Sequence, residues 1–163
     1  MRNKKVLFTV QAAAIAAIYV VLTVLFAPIG FGSVQVRFSE ALTVLPYFTP
    51  AAIPGLFVGC FIGNILGGAI PLDIICGSLA TLAAAGCSYL LRRKKYLVPL
   101  PPVVLNALIV PFVLYYGYGE NLPIPFMALT VGIGEVISCY VIGLIVLSAL
   151  DRCKDSIFRS SAA

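Results

Sequence analysis

Three polar side chains lie inside long apolar segments of the sequence. Glu135, Asn64 and Asn106 are each flanked on both sides by mainly apolar residues. A carboxylate in such surroundings is costly unless it is paired, and an amide needs partners for its two donors and its acceptor. Their shared chemistry is recognition, because a carboxylate accepts N–H groups and an amide donates to a carbonyl oxygen. Two interpretations are open: hydrogen bonds between helices, or a common cavity for a polar ligand.

Four more charged residues occur near the ends of apolar segments. Arg37 and Glu40 are three residues apart, so one helical turn would join them in a salt bridge, and both would also suit a ligand. Asp73 follows Pro71, where we expect a carboxylate to cap a helix rather than to contact a ligand. Glu120 lies in a turn-like sequence and is either solvated or part of a site. The excess of acids favours a ligand with positive charge or several N–H donors.

The sequence contains none of the common catalytic or nucleotide-binding motifs. It has no His, no GxxxxGK[ST] loop, no HExxH and no GxSxG, which argues against hydrolase chemistry and ATP hydrolysis. No CxxC pair occurs, so neither a disulfide framework nor a zinc site is predicted; the cysteines are Cys60, Cys76, Cys87, Cys139 and Cys153. We therefore predict a protein that is not an enzyme and that uses no metal and no cofactor.

The elements that must position these residues are membrane-spanning helices. Hydrophobic residues make up 61% of the chain and charged residues 10%, and the mean hydropathy is +1.08, far from the balance of soluble proteins. Apolar stretches of spanning length recur throughout. We predict an all-α integral membrane protein, a bundle of six transmembrane helices that forms a single domain over 1–163. The spans are expected at 6–27, 39–52, 53–70, 72–91, 98–117 and 125–149.

Basic residues indicate how this bundle is oriented. If the N-terminus is cytoplasmic and six spans follow, ten of the eleven Lys and Arg residues fall on the cytoplasmic side, as membrane proteins prefer. Both termini are therefore expected in the cytoplasm. The basic clusters then meet lipid head groups, so the net charge of +5 does not indicate nucleic-acid binding. The first span is too long for a secretory signal and lacks a convincing cleavage site.

Small residues recur at helical spacing in two of the spans. Gly55, Gly59, Gly63 and Gly67 are four residues apart, so they share one helix face and let a neighbouring backbone approach closely. Two alanine pairs in the first span have the same spacing. They either pack inside the bundle or present a smooth surface to a partner protein; they are Ala12 with Ala16 and Ala13 with Ala17.

The segment 34–68 resembles the signature region of the QueT family. The run from Arg37 to Glu40, followed by Leu45 and Pro46, carries the resemblance, and the length and six-span layout are similar over nearly the whole chain. The resemblance implies a substrate-binding S component of an energy-coupling factor (ECF) transporter in the bacterial cytoplasmic (inner) membrane. It implies a queuosine precursor as substrate, a 7-deazaguanine such as the 7-aminomethyl base or queuine. It also implies partners, namely a transmembrane T component, on which an Ala-xxx-Ala face docks, and two ABC ATPases.

The chemistry of a 7-deazaguanine gives each candidate residue a role. Its adjacent N–H donors suit one carboxylate, its carbonyl oxygen needs a donor, and an aminomethyl cation favours a second carboxylate. We assign Glu135 to the N–H edge, and Glu40 or Glu120 to the cation. The candidate donors to the carbonyl oxygen are Arg37, Asn64 and Asn106. The candidate rings for stacking on the base are Phe38 and Tyr115.

Two alternative functions stay open at the level of the sequence. One is an S component for another vitamin, which binding of thiamine or riboflavin would indicate. The other is a membrane assembly subunit that binds no small molecule. In that case Glu135 would only contribute to helix packing, and its replacement by Gln would leave ligand capture unaffected.

Overall fold

The computed structural model describes residues 4–30 and 36–157, and within them every regular element is helical. A 3₁₀ helix occupies Phe38–Tyr47, a short 3₁₀ turn occupies Lys95–Leu97, and a π-helical segment over Val136–Ile142 joins the last two α-helices. The all-α prediction is confirmed for this part of the chain. The α-helices are α1 (Lys4–Leu25), α2 (Ala27–Gly30), α3 (Ala52–Leu66), α4 (Pro71–Leu90), α5 (Leu100–Tyr116), α6 (Ile124–Glu135) and α7 (Gly143–Ile157).

Several helical stretches have the length and apolarity of membrane spans. Large apolar side chains cover their outer surfaces, as at Leu25, Leu90 and Leu108, which are 60% to 78% exposed. Such a surface is stable against lipid tails and unfavourable in water. The chain is therefore a multi-pass membrane protein. The four stretches that meet the length requirement are Lys4–Leu25, Pro71–Leu90, Lys95–Tyr116 and Ile124–Lys154.

Two of the predicted spans are shorter than expected. The span predicted at 53–70 forms α3, an apolar helix of 15 residues and so about 22 Å long. The span predicted at 39–52 becomes the 3₁₀ helix Phe38–Tyr47, of 10 residues. Its rise is about 20 Å, less than the roughly 30 Å of a hydrocarbon core. This segment does not form a longer α-helix because it carries buried polar side chains and Pro46, which has no N–H to donate.

Helices α1 and α3 pack side by side along the glycine face of α3. A Cβ at Gly55 would lie 2.7 Å from the carbonyl oxygen of Ala12, and a Cβ at Gly63 would lie 3.1 Å from the side chain of Thr23. The contact positions advance together along both helices, so α1 and α3 are parallel. Glycine is required here because a side chain would force the two backbones apart.

The 3₁₀ helix returns the chain between these two parallel helices. Near its start, the hydroxyl of Tyr19 donates to Glu40, and just beyond its end Thr49 donates to Gln11 at 3.1 Å. Because Gln11 is two turns before Tyr19 on α1, the 3₁₀ helix runs antiparallel to α1. It therefore carries its polar residues along the inner face of the bundle.

The remaining helices place the basic residues of the second half at one end of the bundle. Lys95, between α4 and α5, forms a salt bridge of 3.3 Å with Asp151 near the end of α7, and Lys154 forms one of 3.4 Å with the same carboxylate. Leu150 packs against a core that includes Ala52 at the start of α3. We call this end the basic end. The opposite end carries the start of α4 and the connection between α5 and α6.

Candidate functional site

Glu40 is a fully buried carboxylate that has one of its oxygens in use. It is 1% exposed, and its Oε1 accepts a hydrogen bond from the hydroxyl of Tyr19 on α1. Its Oε2 is buried and has no hydrogen-bond partner among the residues that the structure describes. An unsatisfied acceptor in such a place is costly. Glu40 is therefore positioned by the protein and still able to accept a donor.

Glu135 is the second buried carboxylate of this region and has both oxygens in use. It is 2% exposed. Its Oε1 accepts the amide of Asn106 on α5 at 3.0 Å, and its Oε2 accepts the thiol of Cys139 at 3.3 Å. The expected hydrogen bond between helices is therefore present for Asn106.

The two glutamates meet at the point where the last helix changes its hydrogen-bond pattern. Single ligand atoms of Glu40, Glu135 and Cys139 all lie within 4.8 Å of one another, and Cys139 belongs to the π segment. π-Helical turns are rare and frequent at functional sites. This spacing would also admit a metal ion, but the bonds to Glu135 already orient the carboxylate as an acceptor of N–H and S–H groups. Two adjacent carboxylates suit a ligand that carries positive charge.

Asp73 lies on the side of this buried region away from the basic end and does not cap α4. The N-terminus of α4 has no side-chain cap bond. Instead, Asp73 Oδ2 forms a salt bridge of 3.4 Å with Arg37 and accepts the hydroxyl of Tyr118 at 3.1 Å. The expectations of a capping Asp73 and of an Arg37–Glu40 pair are thus corrected. Both fail because residues from distant elements, which local spacing does not reveal, offer better partners.

Tyr118 links the connection between α5 and α6 to this ion pair through its bond to Asp73. Its oxygen also accepts the backbone N–H of Ile70 at 3.4 Å, just before α4. Burial, and then the negative charge of Asp73, raise the pKa of the Tyr118 hydroxyl, so it stays protonated and donates at neutral pH. The connection, Arg37 and the start of α4 are therefore held together at the end opposite the basic end.

Asn64 is buried on α3, near the carboxylate of Asp73. Its Nδ2 makes a long contact of 3.6 Å to the sulfur of Cys60. A Cβ at Gly77 of α4 would lie 3.4 Å from Asn64 Nδ2 and 3.1 Å from Asp73 Oδ1. The amide of Asn64 and the carboxylate of Asp73 thus face the same glycine.

The other predicted site residues occupy different positions. The ring of Phe38, which follows Arg37 in the chain, lies 4.3 Å from that of Phe26. Tyr115 is 44% exposed and contacts Tyr116 edge to face, and Glu120 is exposed in the connection after α5. The structure brings Arg37, Glu40, Asn64, Asn106 and Glu135 into one buried polar layer and leaves Tyr115 and Glu120 outside it.

The two alanine pairs of α1 face opposite ways. Ala12 and Ala16 turn inward, where Gly55 and Gly59 of α3 approach them closely. Ala13 and Ala17 are exposed on the outer face of the helix. The first pair therefore packs inside the bundle, and docking on a partner remains a prediction for the second pair.

Sequence reasoning missed two residues of the polar layer, Tyr19 and Cys139. Tyr19 is a hydroxyl-bearing residue in the middle of the first apolar span, one helical turn after Ala16, which is a signal that a search for buried donors would have found. Cys139 follows Glu135 by four residues, which is also the spacing of neighbours on a helix. Helical spacing alone would therefore have indicated this contact, whereas the π segment that carries Cys139 has no signal in the sequence.

An apolar groove on the surface does not belong to this layer. It has a volume of about 540 Å³ and lies between α4 and α5. Its walls are almost wholly apolar, so it is part of the lipid-facing surface. The lining residues are Leu72, Cys76, Leu108, Ile109, Phe112, Val113 and Tyr116.

These features define a class of protein: a multi-pass membrane protein whose carboxylates and amides converge in a buried layer suited to binding a polar ligand. The family model described as QueT transporter matches residues 9–152. The chain therefore belongs to the QueT transporter family, whose members are transporters and not enzymes.

A curated relative and the solved structures complete the comparison. The chain is 34% identical over 93 residues to a protein of Lactococcus lactis subsp. cremoris named Queuosine precursor transporter QueT, and the match covers 56% of this chain and 54% of the relative. The match thus spans about half the length of that relative. No solved structure matches the chain.

Proposed function

We propose that this chain is the S component of an ECF-type importer that captures a queuosine precursor from outside a bacterial cell. In this proposal it forms one domain of six passes in the cytoplasmic membrane, with both termini in the cytoplasm. The family supports transport, and the name of the relative supports the substrate. The alternation of helix direction, with the basic end facing the cytoplasm, supports the orientation.

The single observation that carries the substrate proposal is the meeting of Glu40 and Glu135 within 4.8 Å in a buried layer. Two carboxylates this close in apolar surroundings repel each other unless a proton or a cation lies between them. The ammonium group of a 7-aminomethyl base, or the secondary ammonium of queuine, supplies that cation. We therefore propose that Glu135 binds the cationic arm together with Glu40, and not the N–H edge of the base as the sequence suggested.

Energy for uptake comes from partner proteins in this proposal. The sequence has no nucleotide-binding loop, so a T component and two ABC ATPases would drive the release of substrate to the cytoplasm. The exposed Ala13 and Ala17 of α1 offer the T component a smooth surface.

The test is calorimetry or native mass spectrometry of the purified full chain with 7-aminomethyl-7-deazaguanine. Glu135→Gln keeps an acceptor for Asn106 and removes the charge, so we expect binding to weaken by about tenfold or more. Asp151→Asn is the matched control, because it removes an acid of the same continuous helix at the basic end, and we expect it to bind like the wild type.

Other outcomes would change the proposal in distinct ways. Tight binding of thiamine or riboflavin and none of deazaguanines would replace the substrate. Binding that is unchanged in Glu135→Gln would remove the proposed role of the two carboxylates. If the wild-type chain binds no member of either series, the chain is an assembly subunit rather than a binding protein.

A further inference from the structure

Asp73 and Asn64 present an acceptor and a donor side by side at a helix position that has no side chain. Asp73 Oδ1 and Asn64 Nδ2 lie 3.1 and 3.4 Å from the place that a Cβ at Gly77 would take. We propose that these two groups form a second subsite, which binds the lactam edge of the substrate, that is, an N–H next to a C=O. This proposal rests on the proposed function and assigns the N–H and carbonyl of the six-membered ring, which lie beside the carbon that bears the cationic arm.

Asp73 has an acceptor that the protein leaves open. Its Oδ2 is used by Arg37 at 3.4 Å and by Tyr118 at 3.1 Å. Its Oδ1 is buried and has no partner in the described part of the chain, although the residue is only 1% exposed. A carboxylate oxygen in that state costs free energy until a donor arrives. The N–H of a lactam is such a donor.

Asn64 supplies the complementary donor. Its amide nitrogen contacts the sulfur of Cys60 at 3.6 Å, and sulfur is a weak acceptor. A carbonyl oxygen of a ligand is a stronger acceptor and would be preferred. Because Asn64 is 1% exposed, bulk solvent does not compete for its amide, and a hydrogen bond to a carbonyl is stronger in such low-dielectric surroundings.

The order of groups matches one face of a heterocyclic base. In a 7-deazaguanine the ring N–H and the 6-carbonyl are adjacent, so Asp73 accepts from the first and Asn64 donates to the second. A 6-amino counterpart reverses this pattern, because it offers a bare ring nitrogen to Asp73 and an amino group to Asn64. A site built to pair a donor and an acceptor rejects the analogue that lacks them. The subsite thus selects lactams over amidines.

Glycine at position 77 is part of the subsite. A side chain there would occupy the space that both polar groups face. Glycine inside a helix is less favourable than alanine by about 1 kcal/mol, so weaker binding in Gly77→Ala would not come from a loss of helix propensity. Gly86 of the same helix is the matched control, because a Cβ there meets nothing within 4 Å.

The experiment compares Gly77→Ala and Gly86→Ala in the purified full chain with 7-aminomethyl-7-deazaguanine. We expect Gly77→Ala to weaken binding by about tenfold or more and Gly86→Ala to change it by less than about twofold, while both remain folded. Asn64→Leu, which removes the donor, should also weaken binding by about tenfold. Wild-type affinity in both Gly77→Ala and Asn64→Leu would overturn the subsite.

A second measurement on the wild type does not depend on how the variants fold. Two ligands are compared that carry the same aminomethyl arm, one on the lactam base and one on its 6-amino counterpart. The lactam should bind at least about tenfold more tightly. Equal binding overturns the subsite but leaves the proposed function intact, whereas the absence of binding for both ligands means that the proposed function itself has failed.

Discussion

The buried acids of this protein differ in how many of their oxygens are already occupied. Both oxygens of Glu135 accept hydrogen bonds, whereas Glu40 and Asp73 each keep one buried oxygen without a partner in the described ranges. Each open oxygen costs about 1–3 kcal/mol in the empty protein. In our proposal a ligand that brings donors to Glu40 and Asp73 recovers this free energy, so we expect these two residues to contribute most to affinity.

Tyr19→Phe tests how much the orientation of Glu40 matters. The change removes the hydroxyl that donates to Glu40 Oε1 and leaves the ring, which is 1% exposed, in place. We expect the free energy of unfolding to fall by about 1–3 kcal/mol, because a second oxygen of Glu40 loses its donor. Ligand affinity should fall as well, since Glu40 is no longer held toward Glu135.

The measurement is a thermal melt with and without ligand, together with calorimetry. Tyr96→Phe is the control, because Tyr96 is 71% exposed at the basic end and should change neither quantity. Equal behaviour of the two variants would show that the hydroxyl of Tyr19 has no role in the site.

At the scale of elements, the polar layer depends on two departures from the α-helix. The 3₁₀ helix presents Glu40 between α1 and α3, and the π segment carries Cys139, whose thiol contacts Glu135. A 3₁₀ run of this length has poorer hydrogen bonds than an α-helix, so it persists only because α1, α3 and the last helix pack around it. The site and the packing of these helices are therefore a single unit.

Gly59→Ala tests this packing. A Cβ at Gly59 would lie 2.8 Å from Cβ of Tyr19 and 3.1 Å from the backbone of Ala16, so α1 and α3 must separate. We expect a loss of about 1–3 kcal/mol in the free energy of unfolding, visible as a lower melting temperature in detergent. Gly132→Ala is the control, since its nearest neighbour would be Ala107 at an ordinary 3.7 Å. A melting temperature equal to that of the control would contradict the close approach of the helices.

The sequence was informative wherever one helix determines the outcome. The spacing of the glycines predicted a close helix contact, and the depth of Glu135 in its span predicted burial; both agree with the structure. The partner of Arg37 and the role of Asp73 were missed, because they depend on how the chain before the 3₁₀ helix meets the start of α4. The 3₁₀ and π segments were missed for the same reason, since tertiary packing overrides local preference there.

At the scale of the whole molecule, one face of α1 packs inside the bundle and the other face is exposed on its surface. Ala16 is buried against α3, whereas Ala13 and Ala17 face outward. A variant with Ala13→Leu and Ala17→Leu should bind ligand and melt like the wild type, yet fail to copurify with a T component and two ATPases and fail to support uptake. Ala16→Leu, directed inward, should instead lower stability. Normal uptake by the outward double variant would exclude this face as the docking surface.

Orientation is a second property of the whole molecule. Cys153 is exposed near the basic end, and Asn121 is exposed in the connection after α5. In intact cells, a membrane-impermeant maleimide should label Asn121→Cys and leave Cys153 unlabelled, whereas permeabilised cells should show both. The reverse pattern would place the termini outside and would exclude capture from the exterior.

Tyr19 and the outward alanines belong to the same rigid rod, because Ala13, Ala17 and Tyr19 all lie on α1. A protein bound to the lipid-facing side of α1 would therefore also displace the hydroxyl of Tyr19, which orients Glu40. Hydrogen bonds weaken steeply when their geometry is disturbed, so a small tilt of α1 would loosen the carboxylate. In the proposed importer, docking of the T component on α1 would thus weaken the binding of the substrate through Glu40.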